Sequence, residues 1–280
     1  MKRKLFCEIS PLTYRISTQK EILLRTLRDL PVRRSFARTK QEELLPVRIK
    51  KHASLIRRRL GNVEMQLQEN KAVNLRLAAP CIDRVLIRPG ETFSFWALVG
   101  NPTADRGFRE GLVIAGAGRT GSGVGGGMCQ FTNLIHWMVL HSDLDIVEHH
   151  HHDGMDLFPD YGRKIPFGTG TSILYNYLDY RFRNNTDCTY QLTVWTDDEH
   201  LHGELLADRP QEYSYHIECR NEFFSREEDG VYRNNEIWRH KIDVRTGQEV
   251  EAVLLRRNHA KVAYDPSGLT VVDLRKGRAR

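Results

Sequence analysis

One cysteine stands where a run of glycines gives way to an apolar periodicity: Gly123-Val124-Gly125-Gly126-Gly127-Met128-Cys129-Gln130, with Asn133 following. Glycine admits positive φ and close backbone approach. The first turn of a helix leaves N–H groups unpaired at the positive end of its dipole, a setting that favours a thiolate over a thiol. Twenty residues further on comes the run His149-His150-His151-His152. Cys129 as nucleophile, His149 or His151 as its base, and the Gln130 amide with loop N–H groups near Gly127 facing an oxyanion would make a cysteine hydrolase or acyltransferase. Papain-like peptidases bring cysteine and histidine in the same order, an analogy of arrangement only.

Two other readings use the same residues without chemistry. A small buried thiol packs a helix against a sheet, with the glycines serving close approach and Gln130 capping local backbone. A non-catalytic groove would instead take a ligand at Gly125, Gly126, Gly127 and Asn133, with Trp96 beside them. Aromatic residues for such a groove are Phe93, Phe95, Trp96, Trp137, Tyr161, Tyr175 and Tyr177. Core packing accounts for Phe93 and Phe95 more simply, since strand alternation sets them on one face. The residues leave all three readings open. Four successive histidines cannot face one ion: in a strand His149 and His151 share a face and His150 and His152 the other. Two of them with Cys129 form an incomplete set, so no metal and no cofactor is expected. The glycine loop lacks the GK[ST] ending and the GxGxxG register of nucleotide sites.

The elements that must position these residues follow from periodicity and turn chemistry. Ile22, Leu23, Leu27 and Leu30 predict an amphipathic helix over 18–30, capped by Ser17 or Thr18 and ended by Pro31. A helix over 52–60 and another over 70–82, limited by Pro80, complete a helical N-terminal third. Val85-Leu86-Ile87 and Thr92-Phe93-Ser94-Phe95-Trp96 read as a hairpin about Arg88-Pro89-Gly90-Glu91. A strand over 112–115 leads into a loop over 116–127 that holds seven glycines, and a buried helix follows over 128–141. Strands are expected at 144–148, 172–177, 178–183, 191–195, 201–206, 213–218, 237–244 and 251–255. Turns at Asn184-Asn185, Asp197-Asp198, Asn234-Asn235 and Thr246-Gly247 divide the later ones. The fold class is α+β: a helical N-terminal region, then a mostly antiparallel sheet with a central helix after the glycine loop.

The net charge of +6 is concentrated at one end, residues 1–60 carrying 17 Lys/Arg against 5 Asp/Glu. No aromatic platform or reading motif accompanies that charge, so nucleic acid is not expected as a partner; weak contact with an anionic membrane surface through the basic N-terminus is. Five scattered cysteines without CxxC spacing argue against a disulfide framework and for a reducing compartment. No apolar run is long enough to cross a bilayer and the basic start has no apolar h-region behind it, so a cytoplasmic location is expected.

Three ordered motifs carry a resemblance: Ile87-Arg88-Pro89-Gly90-Glu91-Thr92-Phe93-Ser94-Phe95-Trp96, then Gly125-Gly126-Gly127-Met128-Cys129-Gln130 with Asn133-Leu134, then Arg183-Asn184-Asn185-Thr186-Asp187-Cys188-Thr189-Tyr190-Gln191. In that order they resemble the VanW family. The resemblance implies a setting in glycopeptide resistance or cell-wall metabolism, and a cell-wall precursor or peptide as the ligand of the GGGMCQ loop. The family pattern also has an Asp-Ala-Thr triplet after a glycine, and here Gly170 stands where that aspartate would fall. A Cys-His-Asp set would lack its third member. The implied organisation is a basic helical region over 1–68, a VanW-like core over 69–200, a β-rich extension over 201–274 and a basic tail over 275–280.

Overall fold

The computed structural model describes residues 5–58, 64–115, 119–151, 154–160, 162 and 165–274. His152, Tyr161, residues 116–118 of the glycine loop, residues 59 and 60 and the tail from Arg275 lie outside the described residues. In chain order the elements are α1 (Pro11–Asp29), β1 (Val47–Leu55), α2 (Met65–Ile82), β2 (Val85–Ile87), β3 (Thr92–Ser94), the short α3 (Phe95–Val99), β4 (Glu110–Ala115), β5 (Arg119–Val124), α4 (Cys129–Val139), β6 (Asp145–Glu148), β7 (Met155–Asp156), β8 (Arg181–Arg183), β9 (Tyr190–Thr196), β10 (His200–Ala207), the long β11 (Tyr213–Glu227), β12 (Gly230–Asp243) and β13 (Glu249–Val262), and β14 (Val271–Asp273). The pairing is mostly antiparallel and the class is α+β.

Two small sheets hold the core, one in the order β1-β10-β9-β2 and one in the order β3-β8-β6. The first reaches across chain segments that are far apart, since β1 pairs with β10 along its whole length. Helix α2 turns the stripe Gln68, Lys71, Ala72, Leu75, Ala78, Ala79 and Ile82 inward at helical spacing. Helix α4 does the same with Phe131, Leu134, Ile135 and Met138. These side chains meet Phe93, Phe182, Tyr190, Leu192 and Leu205 in one buried cluster. Strands β11, β12 and β13 form a long ribbon, flanked by β14 and β7 and joined to the body through Leu140, Ile217 and Ile237.

Several expected elements differ. Residues 52–55, expected to begin a helix, end strand β1, where the half-buried Lys50, His52 and Ser54 alternate with the exposed Lys51, Ala53 and Leu55 against β10. The hairpin expected over residues 85–96 does not form: β2 pairs with β9 and β3 with β8. The turn between them is held by Asn184 instead, which accepts the Gly90 N–H and donates its own to the Glu91 carbonyl. Chain direction then changes at Ser94, whose Oγ accepts the Ala97 N–H and starts α3, so Phe95 and Trp96 are helical. The first helix begins earlier than expected, at Pro11 behind the capping box of Ser10 and Thr13. The glycine loop contains strand β5, paired with β4. Residues 172–177 carry turns and an isolated bridge from Leu174 to Leu178. Asn234-Asn235 lies inside β12, where Asn235 bonds the Phe167 carbonyl and Asn258. Among the described residues no helix is long and apolar enough to cross a membrane.

Candidate functional site

The glycine turn is fixed by its backbone. Gly125 donates to Arg109 O, Gly126 to Gly123 O and Gly127 to Leu112 O, each at 3.0 Å. A Cβ on Gly126 would stand 2.2 Å from the Gly111 carbonyl oxygen, so only glycine lets the turn pack on β4. The N–H groups expected to face an oxyanion are therefore already engaged, by the carbonyls of Arg109, Gly123 and Leu112. Cys129 opens α4 and is half-buried. Burial pushes its thiol pKa up, and the backbone N–H of Ile173 draws it part of the way back. Gln130 turns to β1, its amide nitrogen donating to Ser54 Oγ at 2.9 Å and Leu55 O at 2.8 Å.

Cys129 faces a cavity of about 570 Å³. Its walls come from β1 (His52 to Leu55), α2 (Gln68, Lys71), the start of α4 (Cys129, Gln130, Asn133), residues 154–158, 162, 165 and 167–171, and β13 (Arg256, Asn258, His259, Ala260). Thr171 is tied to α4: Asn133 Oδ1 accepts from the Thr171 N–H at 2.6 Å and from its hydroxyl at 2.8 Å. Lys71 reaches this cavity with only 6% of its surface exposed. Burial brings its ammonium down to about 7, and the charges acting on it, Arg58 and Arg57, are both positive and push the same way. Its stem packs on Gly127, where a Cβ would come within 2.3 Å of Lys71 Cγ.

Just beyond the end of β6 the described histidines still alternate in direction. His149 and His151 rings stand 3.9 Å apart, while His150 turns to Glu148 Oε1 at 2.9 Å. His149 bonds the Gly170 carbonyl at 3.2 Å and its ring lies 4.1 Å from that of His136. His136, inside α4, bonds Tyr180 Oη at 3.1 Å, and burial with the neighbouring His149 and His151 holds its ring well below the usual imidazole range. The ladder of three rings ends at His151 in the cavity with Cys129. At Gly170 a Cβ would meet Asn133 Oδ1 at 3.8 Å and nothing nearer, so the wall has room there for a side chain. Trp96 lies elsewhere: it is buried, donates to Leu178 O, and lines a separate pocket of about 80 Å³ with Gly125, Gly126, Gly127 and Cys129.

Among the described residues, the His/Cys/Asp/Glu side chains whose ligand atoms converge within 4.8 Å are Asp197, His200 and His202, at the turn from β9 to β10. That turn already uses them. Asp197 Oδ1 accepts the N–H groups of Glu199 and His200, and Oδ2 meets His202 Nε2 at 2.6 Å.

Residues 70–206 match the model of VanW-like proteins. The chain is 35% identical over 229 residues to the vancomycin B-type resistance protein VanW of Enterococcus faecalis (strain ATCC 700802 / V583), covering 82% of each. The chain belongs to the VanW family. A second member-like relative is the uncharacterized protein YoaR of Bacillus subtilis (strain 168), 30% identical over 119 residues, which are 41% of this chain and 36% of that one. No solved structure matches.

The VanW segment contains Lys71, Cys129, Gln130, Asn133, His149, His151 and Gly170, whereas the walls from β1 and β13 lie outside it. Lys71 and His136 were not singled out from sequence, yet both left a signal. Each is a polar residue on the buried stripe of its helix, Lys71 with Gln68, Leu75 and Ala78, and His136 with Thr132, Ile135 and Val139.

Proposed function

We propose that the cavity beside the GGGMCQ turn is a binding site for an anionic ligand of the cell-wall precursor class, and that the chain serves as an accessory of glycopeptide resistance, as the name of its Enterococcus relative suggests. Lys71 carries this reading. A buried ammonium with no carboxylate paired to it among the described residues is costly, and a carboxylate or phosphate entering the cavity would restore its proton and its pKa. Asn133 and His151 offer polar atoms on the same wall. A reducing, cytoplasmic setting is supported by the odd, scattered set of five cysteines. The test is calorimetric titration with peptidoglycan-derived peptides bearing free carboxylates and with their amides. The acids should bind with proton uptake between pH 7 and 9, and Lys71→Met should abolish both. Equal affinity for acid and amide would end this reading.

A second reading is favoured by one observation, that Cys129 and His151 line the same cavity. Cys129 Sγ would attack an amide carbonyl while its proton passes through His151 to the leaving amine; water would then hydrolyse the thioester, releasing the acid and restoring the thiol. Under this reading Cys129→Ala abolishes turnover and leaves ligand affinity within about threefold. Under the binding reading wild type shows no turnover at all.

A further inference from the structure

Helix α1 is mounted the wrong way round for a globular protein. None of its 19 residues is buried. The side that meets the body is polar: Arg25 bonds Glu148 Oε1 at 3.0 Å, Asp29 Oδ1 accepts from Arg181 at 2.8 Å, and Thr26 Oγ1 accepts from Asn176 at 2.8 Å. Residues 22, 25, 26 and 29 form one stripe at helical spacing, and Asn176 also reaches the Ile22 carbonyl. A second stripe, about a third of a turn round the helix, is apolar, with Leu12 66%, Ile16 50%, Leu23 59%, Leu27 52% and Leu30 53% exposed. Phe6 and Ile9, at 55% and 61%, extend it beyond the helix start. A surface helix ordinarily turns its apolar stripe to the core and its charges to water. Here ion pairs hold the helix and the apolar face is left for something else.

The charges around that stripe identify its partner. Arg15, Lys20, Arg28, Arg33 and Arg34 are all exposed, and between residues 10 and 35 the acids are Glu21 and Asp29, the latter turned to Arg181. A second copy docked through the same helix would set five cations against five like charges. A surface of lipid headgroups carrying phosphates would meet each cation with an anion while its acyl region takes up the leucines. The helix is not long and apolar enough to cross. We propose that α1 lies in the plane of an anionic phospholipid surface, its stripe Leu12, Ile16, Leu23, Leu27 and Leu30 entering the headgroup boundary and Arg15, Lys20, Arg28, Arg33 and Arg34 on the phosphates. No α1 residue lines the cavity, so this docking stands or falls apart from the ligand reading.

The test uses the full chain in sedimentation with vesicles of phosphatidylglycerol and phosphatidylcholine at 3:7, beside vesicles of phosphatidylcholine alone. The chain should pellet with the anionic vesicles and be released by raised salt. Removing one cation should weaken partition about fivefold, so Arg33→Ser with Arg34→Ser should weaken it on the order of 25-fold; both lie beyond the helix and leave its fold alone. Leu23→Glu with Leu27→Glu should abolish pelleting, with circular dichroism verifying the fold. The proposal is overturned if wild type stays in the supernatant, if either double variant pellets like wild type, or if neutral vesicles bind equally well. It is also overturned if sedimentation velocity finds a dimer that the double glutamate variant converts to a monomer, for then a second copy covers the stripe.

Discussion

Replacing Lys71 by methionine keeps the stem that packs on Gly127 and removes the buried charge. The folded chain holds this proton less tightly than the unfolded one, with a pKa of about 7 against 10.5. The unfolded state therefore binds more protons between those values, so wild-type stability rises with pH across that window and the penalty is full below about pH 7. At 1.36 kcal/mol for each pH unit, the fall from 10.5 to about 7 amounts to about 5 kcal/mol. That figure is a ceiling; a gain of at least about 2 kcal/mol is expected for Lys71→Met at pH 6.5, since local relaxation offsets part of the desolvation. The advantage should shrink above pH 7 and vanish near 10.5. Urea unfolding of both proteins at pH 6.5, 8, 9 and 10 measures this directly. A variant less stable than wild type at pH 6.5, or a difference constant across the series, would refute the unpaired-ammonium reading. It would mean that an anionic partner already holds Lys71.

Three other expectations concern the turn and its surroundings. The Cys129 thiol, raised by burial, should react with iodoacetamide at pH 7.5 at least about tenfold more slowly than an exposed thiol and accelerate above pH 9, read by mass spectrometry of its peptide; rapid labelling at neutral pH contradicts the burial argument. Gly126→Ala forces a Cβ to 2.2 Å from the Gly111 carbonyl oxygen and should cost about 3 kcal/mol in denaturant unfolding, while an unchanged midpoint would show that β4 can move aside. Gly170→Asp, whose Cβ has 3.8 Å of clearance to Asn133 Oδ1, should stay within about 0.5 kcal/mol of wild type, and a loss above about 1.5 kcal/mol would show that the wall has no room.

What the sequence revealed depended on how local the cause was. Helix α4 was legible because Phe131, Leu134, Ile135 and Met138 repeat at helical spacing behind a glycine turn, and all four are buried. The alternation of the histidines was legible for the same reason, since backbone geometry alone sets His149 beside His151. The pairing of β2 and β3 was not, because Arg88-Pro89-Gly90-Glu91 makes a turn whichever partners the strands take, and Asn184, distant in sequence, sends them to different sheets. Strand β1 was hidden by basic residues that suit a helix face as well as a sheet edge; Lys50 and Lys51 reach Trp137 and Trp195 rather than a helical neighbour. Lys71 was legible as a position and illegible as a state: the spacing puts it on the inward stripe of α2, but only the tertiary arrangement shows what charges act on it.

The cavity is built by two parties under different constraints. The turn at Gly125 to Gly127, with Lys71 and Cys129, lies in the segment that matches the family, and its glycines are favoured by the Gly111 backbone against Gly126 and by positive φ at Gly125 and Gly127. The facing walls, His52 to Leu55 on β1 and Arg256, Asn258, His259 and Ala260 on β13, lie outside that segment and meet the cavity through side chains rather than through a close-packed backbone. A change of side chain on β1 or β13 would therefore reshape the far wall of the cavity while the backbone of the glycine turn stays as it is.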